Sequence, residues 1–343
     1  MISKIFLFLL TSLFSNIFSN YSELVMDAST GEILYKSNNL QNGKDCIYKK
    51  RFPASTTKIM SLYLLFKALK SGKVKLTTKF RVSKYASMQE PCKVWLKSGS
   101  YVTVKNIMLA MITKSANDAA VVLAEGLSKS EKNFAKEMTL QAHRIGMKRT
   151  KFYNPSGLPH PQHISCAYDM AILGREIFTK FPKFYKFFKT KIFYYNGIRY
   201  RSTNRLVGTV DGVDGIKTGY TRSARYNIVS CARRGNQRLI VVVMGANTRL
   251  FRDKRVTELF QKYFKNKLKE KEYNDILKLL FEDEIITERE DLDKIIYEQS
   301  KKNKIIKKNE KIIVKKAPTM ETIIKYGNKL PSMSEIINKS KSP

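Results

Sequence analysis

Hydrophobic and polar positions change period along the chain, and each change marks an element. Glu23 to Asp27 and Ile33 to Lys36 are short alternating runs around Ser29-Thr30-Gly31, which predicts a β-hairpin. The polar stretch Asn38 to Lys50 reads as a loop. From Ser55 the pattern turns helical, with Leu62, Leu65 and Leu69, beside Tyr63 and Phe66, recurring at roughly 3.6-residue spacing. Pro53 and Ser55 are its start signals. Lys73 to Val104 is short, β-rich and broken by charge. Helical periodicity returns from Val104 to about Thr113, is interrupted at Lys114 to Asn117, and resumes from Ala119 to Leu127, so Ser115 and Asn117 are expected on a loop between two helices. Phe134 to Ile145 predicts a further helix stopped by Gly146, and Asn154-Pro155-Ser156-Gly157 a turn. Cys166 to Phe178 carries a helical apolar face of Ala167, Met170, Ala171, Leu173 and Ile177.

The pattern then returns to strands. Val213 to Tyr220, Tyr226 to Arg233 and Arg238 to Ala246 are predicted strands, the last two joined by the turn Gly235-Asn236. Leu239 to Val243 is almost wholly apolar, as a central strand requires. Arg252 to Phe264 is helical again. The order is strands, helical insert, strands. The predicted fold is α/β: an antiparallel sheet made of the first hairpin and the last three strands, flanked by helices, with an inserted, mostly helical subdomain. The helix that begins at Ser55 is expected between sheet and insert.

The two ends have other characters. Met1-Ile2-Ser3-Lys4, the apolar run Ile5 to Phe14 and the polar Ser15 to Asn20 describe an export signal over residues 1–20, with cleavage near Ser19. The apolar run is short for a membrane span. Residues 21–264 form the predicted globular domain, and 265–343 a charged, basic, partly helical or disordered C-terminal extension. Leu277 to Phe281 and Ile295 to Tyr297 are its candidate amphipathic segments.

Composition narrows the partners. The 343 residues carry 64 Lys and Arg against 29 Asp and Glu, a net charge of +35. Such an excess favours an anionic partner. No nucleic-acid module is present in the sequence, so nucleic acid is not called. A basic amphipathic segment in the extension could lie on an anionic membrane surface, and a solvated charged tail is the plain alternative. The four cysteines, Cys46, Cys92, Cys166 and Cys231, are scattered and form no Cys-x-x-Cys pair. Export would permit disulfides, although the apolar settings of Cys166 and Cys231 read as core. His143, His160 and His163 lack metal-ligand spacing, so no metal and no cofactor are called, and a Ser-His-Asp triad has little support.

Three short matches carry the chemistry. Ser55 and Lys58 lie three apart and share one helix face. A serine hydroxyl needs a neighbour to take its proton, and a lysine can do so when burial or a nearby cation lowers its pKa. The second match is Ser115-Ala116-Asn117 and the third Lys217-Thr218-Gly219, within Asp214 to Thr221. Alone, each has an ordinary reading: a capping serine with a solvated lysine, a helix-breaking turn, a strand ending in a turn. In this order they resemble the Ser-x-x-Lys, Ser-x-Asn and Lys-Thr-Gly set of the penicillin-binding and serine β-lactamase superfamily. The detail resembles the low-molecular-weight D-alanyl-D-alanine carboxypeptidases, over about Glu23 to Phe260.

The resemblance implies a β-lactamase/transpeptidase-like fold with all three motifs at one cleft. It implies Ser55 as nucleophile, Lys58 as base and Ser115 as proton relay. Asn117, Lys217, Thr218, Gly219 and Tyr220 would bind substrate, with the N–H groups of Ser55 and Tyr220 as oxyanion donors. Arg252 aligns with an arginine near the substrate carboxylate; a surface arginine on a basic helix is its other reading. The implied partners are peptidoglycan stem peptides and β-lactams, and the implied location is periplasmic or at the outer face of the inner membrane. A penicillin-acylated sensor, a β-lactamase and a peptidoglycan endopeptidase use the same residues and stay open. One departure stands out: where relatives have Ala-Gly after the third motif, this chain has Ala224-Arg225.

Overall fold

The structure, a computed structural model, describes residues 21–37 and 46–282. The export signal and the part of the extension beyond residue 282 lie outside the described residues. A five-stranded antiparallel sheet runs in the order β2-β1-β9-β8-β7, from β1 (Ser22–Asp27), β2 (Ile33–Lys36), β7 (Val213–Thr221), β8 (Arg225–Arg234) and β9 (Gln237–Ala246). The terminal hairpin joins the late strands through β1 and β9, in a register that sets Glu23 opposite Val243 and Val25 opposite Val241. This is the sheet expected from the sequence.

Strand β9 shows why the apolar run is central. Ile240, Val242 and Met244 enter one hydrophobic core, while Leu239, Val241 and Val243 enter the other. Alternation sends successive side chains to opposite faces, so a strand covered on both needs no polar positions. The helix α5 (Ala167–Lys180) covers the first face and α6 (Arg249–Tyr263) the second. The first core also takes α1 (Lys58–Lys70), α2 (Val104–Thr113), α3 (Asn117–Ser128) and α4 (Glu131–Arg144). Helix α1 is buried almost all round from Lys58 to Phe66, as a helix at the centre of a domain must be. The segment after α6 is helical again over 270–282, and its Ile276 and Leu280 join the second core beside Phe260. No helix among the described residues is long and apolar enough to cross a membrane.

Three local expectations change. Ser55 does not sit on an α-helix: Ala54–Thr57 is a 3-10 turn, and α1 begins at Lys58. Pro53, before that turn, and Thr57, before α1, make no side-chain cap. Ala54, at φ +49°, turns the chain sharply just before the serine. Asn117 is the first residue of α3, leaving Lys114, Ser115 and Ala116 between the helices. A hairpin, β5 (Ile192–Tyr195) and β6 (Ile198–Arg201), follows the helical insert. Its Asn196-Gly197 turn is the strongest short-range hairpin signal and went unread in the sequence. Strands β3 (Lys79–Arg81) and β4 (Tyr101–Thr103) pair within the β-rich stretch before α2. All four cysteines are free; Cys46, Cys166 and Cys231 are buried and Cys92 is exposed.

Candidate active site

The site is built where the 3-10 turn meets the edge strand β7. A Cβ added at Gly219 would lie 2.8 Å from the backbone nitrogen of Thr56 and 2.9 Å from that of Ser55. The strand and the serine turn are therefore pressed together, and only a residue without a side chain fits between them. Asn227 on β8 ties the same turn from below, donating from Nδ2 to the carbonyls of Phe52 (2.9 Å) and Pro53 (3.1 Å) while its Oδ1 accepts from Gly245 N–H. A second close approach comes from the turn after α4. Gly157, at φ +87°, leaves room for the Ala54 carbonyl, which a Cβ would meet at 1.8 Å.

Lys58 is the centre of the polar cluster. Its Nζ lies 3.0 Å from Ser55 Oγ, 2.7 Å from Asn117 Oδ1 and 2.7 Å from the carbonyl of Ser156. Asn117 Nδ2 donates to the Glu90 carbonyl, which fixes the amide so that its oxygen faces the lysine. Two acceptors thus take two N–H bonds of the amine. In a neutral amine the remaining position is a lone pair, and it points at the Ser55 hydroxyl. Lys58 is fully buried, and burial, then the charge of Lys217, pulls its pKa well below the ordinary lysine range, with Cys92 and Asp118 acting in the opposite sense.

Lys217 stands on β7, 1 % exposed, with its Nζ donating to the Thr218 carbonyl at 2.9 Å. Burial lowers its pKa to about 7; Cys92 opposes this and the Arg252 cation adds to it. Thr218 Oγ1 donates to Thr203 Oγ1 at 3.0 Å. Ser115 is held at φ +63°, a left-handed conformation uncommon outside glycine, and its buried Oγ makes no hydrogen bond to the protein. Tyr220 is 54 % exposed at the end of the motif, its ring 4.4 Å from that of Tyr226.

The structure thus brings Ser55, Lys58 and Asn117 into one hydrogen-bonded group and sets Gly219 of β7 against its serine turn. Arg252 is not on a solvated surface: it is 3 % exposed in the first turn of α6 and pairs with its neighbour Asp253 at 2.7 Å. It reaches the cluster through its charge on Lys217. The histidines stand apart from Ser55. His163 Nε2 is 2.8 Å from Thr57 Oγ1 and its Nδ1 accepts from Tyr153 N–H. Burial, with His160 and Lys58, holds its pKa down at about 3, so it is neutral. Sequence reasoning missed Ser156, Asn227 and Thr203. The first acts through its carbonyl, which no residue type reveals. The second was visible as an amide inside the apolar strand Tyr226 to Arg233.

With this geometry in hand, comparison with known proteins gives one answer. The family model for D-alanyl-D-alanine carboxypeptidase, peptidase S11, matches residues 16–248. The chain is 38 % identical over 246 residues to the D-alanyl-D-alanine carboxypeptidase DacF of Bacillus subtilis, covering 69 % of this chain and 60 % of that relative. The chain therefore spans under two thirds of that relative's length. Among solved structures it is similar to penicillin-binding protein 5 from Haemophilus influenzae, at TM-score 0.66 and 35 % identity, covering 70 % of this chain and 69 % of the other. It is also similar to penicillin-binding protein D2 from Listeria monocytogenes in its ampicillin-bound form, at TM-score 0.59 and 30 % identity, covering 70 % and 94 %.

Proposed function

We infer the activity from the fact that this chain belongs to the D-alanyl-D-alanine carboxypeptidase family. The reading is a serine-type carboxypeptidase that removes the terminal D-alanine from peptidoglycan stem peptides outside the cytoplasm, and that penicillins acylate. The single observation that carries it is the arrangement at Lys58: two N–H acceptors at 2.7 Å and Ser55 Oγ at 3.0 Å, around a fully buried amine whose pKa that burial lowers.

The geometry supports the roles that the resemblance implies. The Ser55 hydroxyl attacks the carbonyl of the penultimate D-alanine as its proton passes to Lys58 Nζ. The N–H groups of Ser55 and Tyr220 take the oxyanion; the contact of Gly219 with the serine turn supports this pairing. The tetrahedral intermediate breaks its C–N bond, and the leaving amine takes a proton from Lys58 by way of Ser115 Oγ, which the protein leaves without a partner. Free D-alanine departs, and water hydrolyses the ester on Ser55. Lys217 and Thr218 hold the substrate's terminal carboxylate, and Arg252 adds positive field behind Lys217. Asn117 fixes the base and faces the substrate amide. The Listeria relative's ampicillin-bound form supports β-lactams as ligands of the same cleft.

The test is D-alanine release from a stem pentapeptide, beside fluorescent penicillin labelling, for the wild-type chain and Ser55→Ala. Release and labelling by the wild type alone are expected. Stable labelling without release would favour the acylated sensor, and rapid nitrocefin turnover a β-lactamase.

A further inference from the structure

The loop between the single helical turn Lys84–Ser87 and β4 carries the chain's single tryptophan in an unusual setting. Asn117 and Asp118, consecutive in the first turn of α3, grip this loop by separate bonds. Asn117 takes the Cys92 carbonyl with its N–H (2.7 Å) and the Glu90 carbonyl with Nδ2 (2.8 Å). The buried Asp118 carboxylate accepts the N–H groups of Val94 (3.2 Å) and Leu96 (3.1 Å). Val94 and Leu96 point into the core, each 3 % exposed. Trp95 between them is driven outward, at φ +61° and 65 % exposed. Lys93 Nζ sits 4.4 Å from its ring centroid.

A bulky side chain at positive φ is a conformational outlier, and such outliers persist where the surroundings over-determine them. Here one of the two clamping residues, Asn117, also holds the base Lys58 through its Oδ1. Packing does not explain the choice, because the indole buries little; glycine or asparagine would suit the backbone better. What the arrangement yields is a rigid aromatic plate with an ammonium on it, three residues along the chain from the carbonyl that Asn117 holds. Three residues reach at most about 10 Å. A stem peptide extending from Ser55 covers a similar span with three residues and then meets the amino sugar it is attached to.

We propose that Trp95 and Lys93 form a subsite for the sugar-linked end of the stem peptide, the indole stacking on the sugar ring and the ammonium pairing with the carboxylates beside it. This rests on the carboxypeptidase reading and deepens it: the substrate class is the glycan-linked pentapeptide rather than the free peptide. Binding energy gathered away from the scissile bond is then available to orient it.

Trp95 is the only tryptophan in the 343 residues, so selectively excited emission reports this position alone. The full chain carrying Ser55→Ala, which cannot turn over, is titrated with disaccharide pentapeptide, free pentapeptide and disaccharide. Saturable emission change is expected with the disaccharide pentapeptide at about tenfold lower concentration than with free pentapeptide. In the active chain, Trp95→Gly, which fits the backbone without strain, and Trp95→Ala should lower kcat/KM on the disaccharide pentapeptide by about tenfold, through KM, and leave the free peptide little changed. Equal loss on both substrates, no loss on either, or no emission change with the glycan-linked ligand overturns the subsite. Absence of D-alanine release by the wild type from any substrate would sink the activity reading instead, and the titration would still decide the subsite.

Discussion

Cations wholly or partly withdrawn from water occur in two settings in this molecule, and they behave in opposite ways. On β9 and α6, Arg238 and Arg255 are met by carboxylates. Arg238 forms a two-pronged contact with Asp214 at 2.8 and 2.9 Å, and Asp214 also accepts from Tyr185. Arg255 binds Glu23 at 2.7 and 2.8 Å and Glu258 at 3.0 Å. Burial pulls the pKa of Arg238 down, but its Asp214 bonds outweigh this and the net direction is up; for Arg255 the Glu23 bonds dominate outright. Lys58 and Lys217 are more deeply buried, and no carboxylate among the described residues forms an ion pair with either. Their pKa values fall. Between these two pairs, partner type separates scaffold from site, while Arg252, paired with its own neighbour Asp253, acts on the site only through its charge. A cation bonded to carboxylates holds elements together, while one bonded to amide and hydroxyl oxygens is available for proton transfer.

The sharpest way to break this contrast is to remove the base. Lys58→Met should slow penicillin acylation by roughly a thousandfold, read by intact mass over time. The next largest effect lies in the other class. Asp214→Ala leaves Arg238 buried without its partner and should cost roughly 3–5 kcal/mol of stability, read by urea unfolding, with acylation of the folded fraction near wild type. If the Lys58 variant lost more stability than the Asp214 variant, the division into scaffold and site would fail.

A titration sharpens the contrast further. Lys217 gives up its proton at about 7 when folded, whereas an unfolded lysine holds it to about 10.4. Between those values the unfolded chain binds more protons, so stability is lowest below neutral pH and rises with pH across the window. The slope from this one group is at most about 1.4 kcal/mol per pH unit. Unfolding at about pH 7 and about pH 9 should show it, and Lys217→Met should reduce it, the remainder coming from Lys58, whose pKa burial lowers in the same direction. The smallest expected effect concerns an exposed cation in neither class. Arg225, where the family resemblance leads one to expect glycine, sits at φ +56°, and its guanidinium bonds Asn247. Arg225→Gly should raise stability by about 0.5 kcal/mol, the relief of the backbone being partly offset by the lost contact.

Much of this was legible in the chain because periodicity and order are strong signals. The uninterrupted Leu239 to Val243 run announces a strand covered on both faces, and both cores claim it in alternation. Ser55, Lys58 and Asn117 were singled out by spacing and found in one hydrogen-bonded group. What escaped has a physical reason in each case. The turn at Ala54 to Thr57 looks like the start of a helix because a 3-10 turn and an α-helix share the same start residues. Arg252 looked like either a ligand group or a surface charge; its burial beside Asp253 depends on tertiary packing. The strain at Ser115 and Trp95 is invisible in composition, since neither residue type favours positive φ.

The acceptor that Ser156 offers to Lys58 is a peptide oxygen. No codon change at position 156 can delete it, so saturation mutagenesis should find that position permissive to small residues. Sensitivity moves to the residues that keep the oxygen in place. Asn154 does so through Oδ1, which accepts the N–H groups of Ser156 and Gly157. Gly157 does so by admitting the Ala54 carbonyl where any other residue would collide with it. A map of tolerated variants would therefore show a gap at the atom's owner and two walls beside it, at 154 and 157.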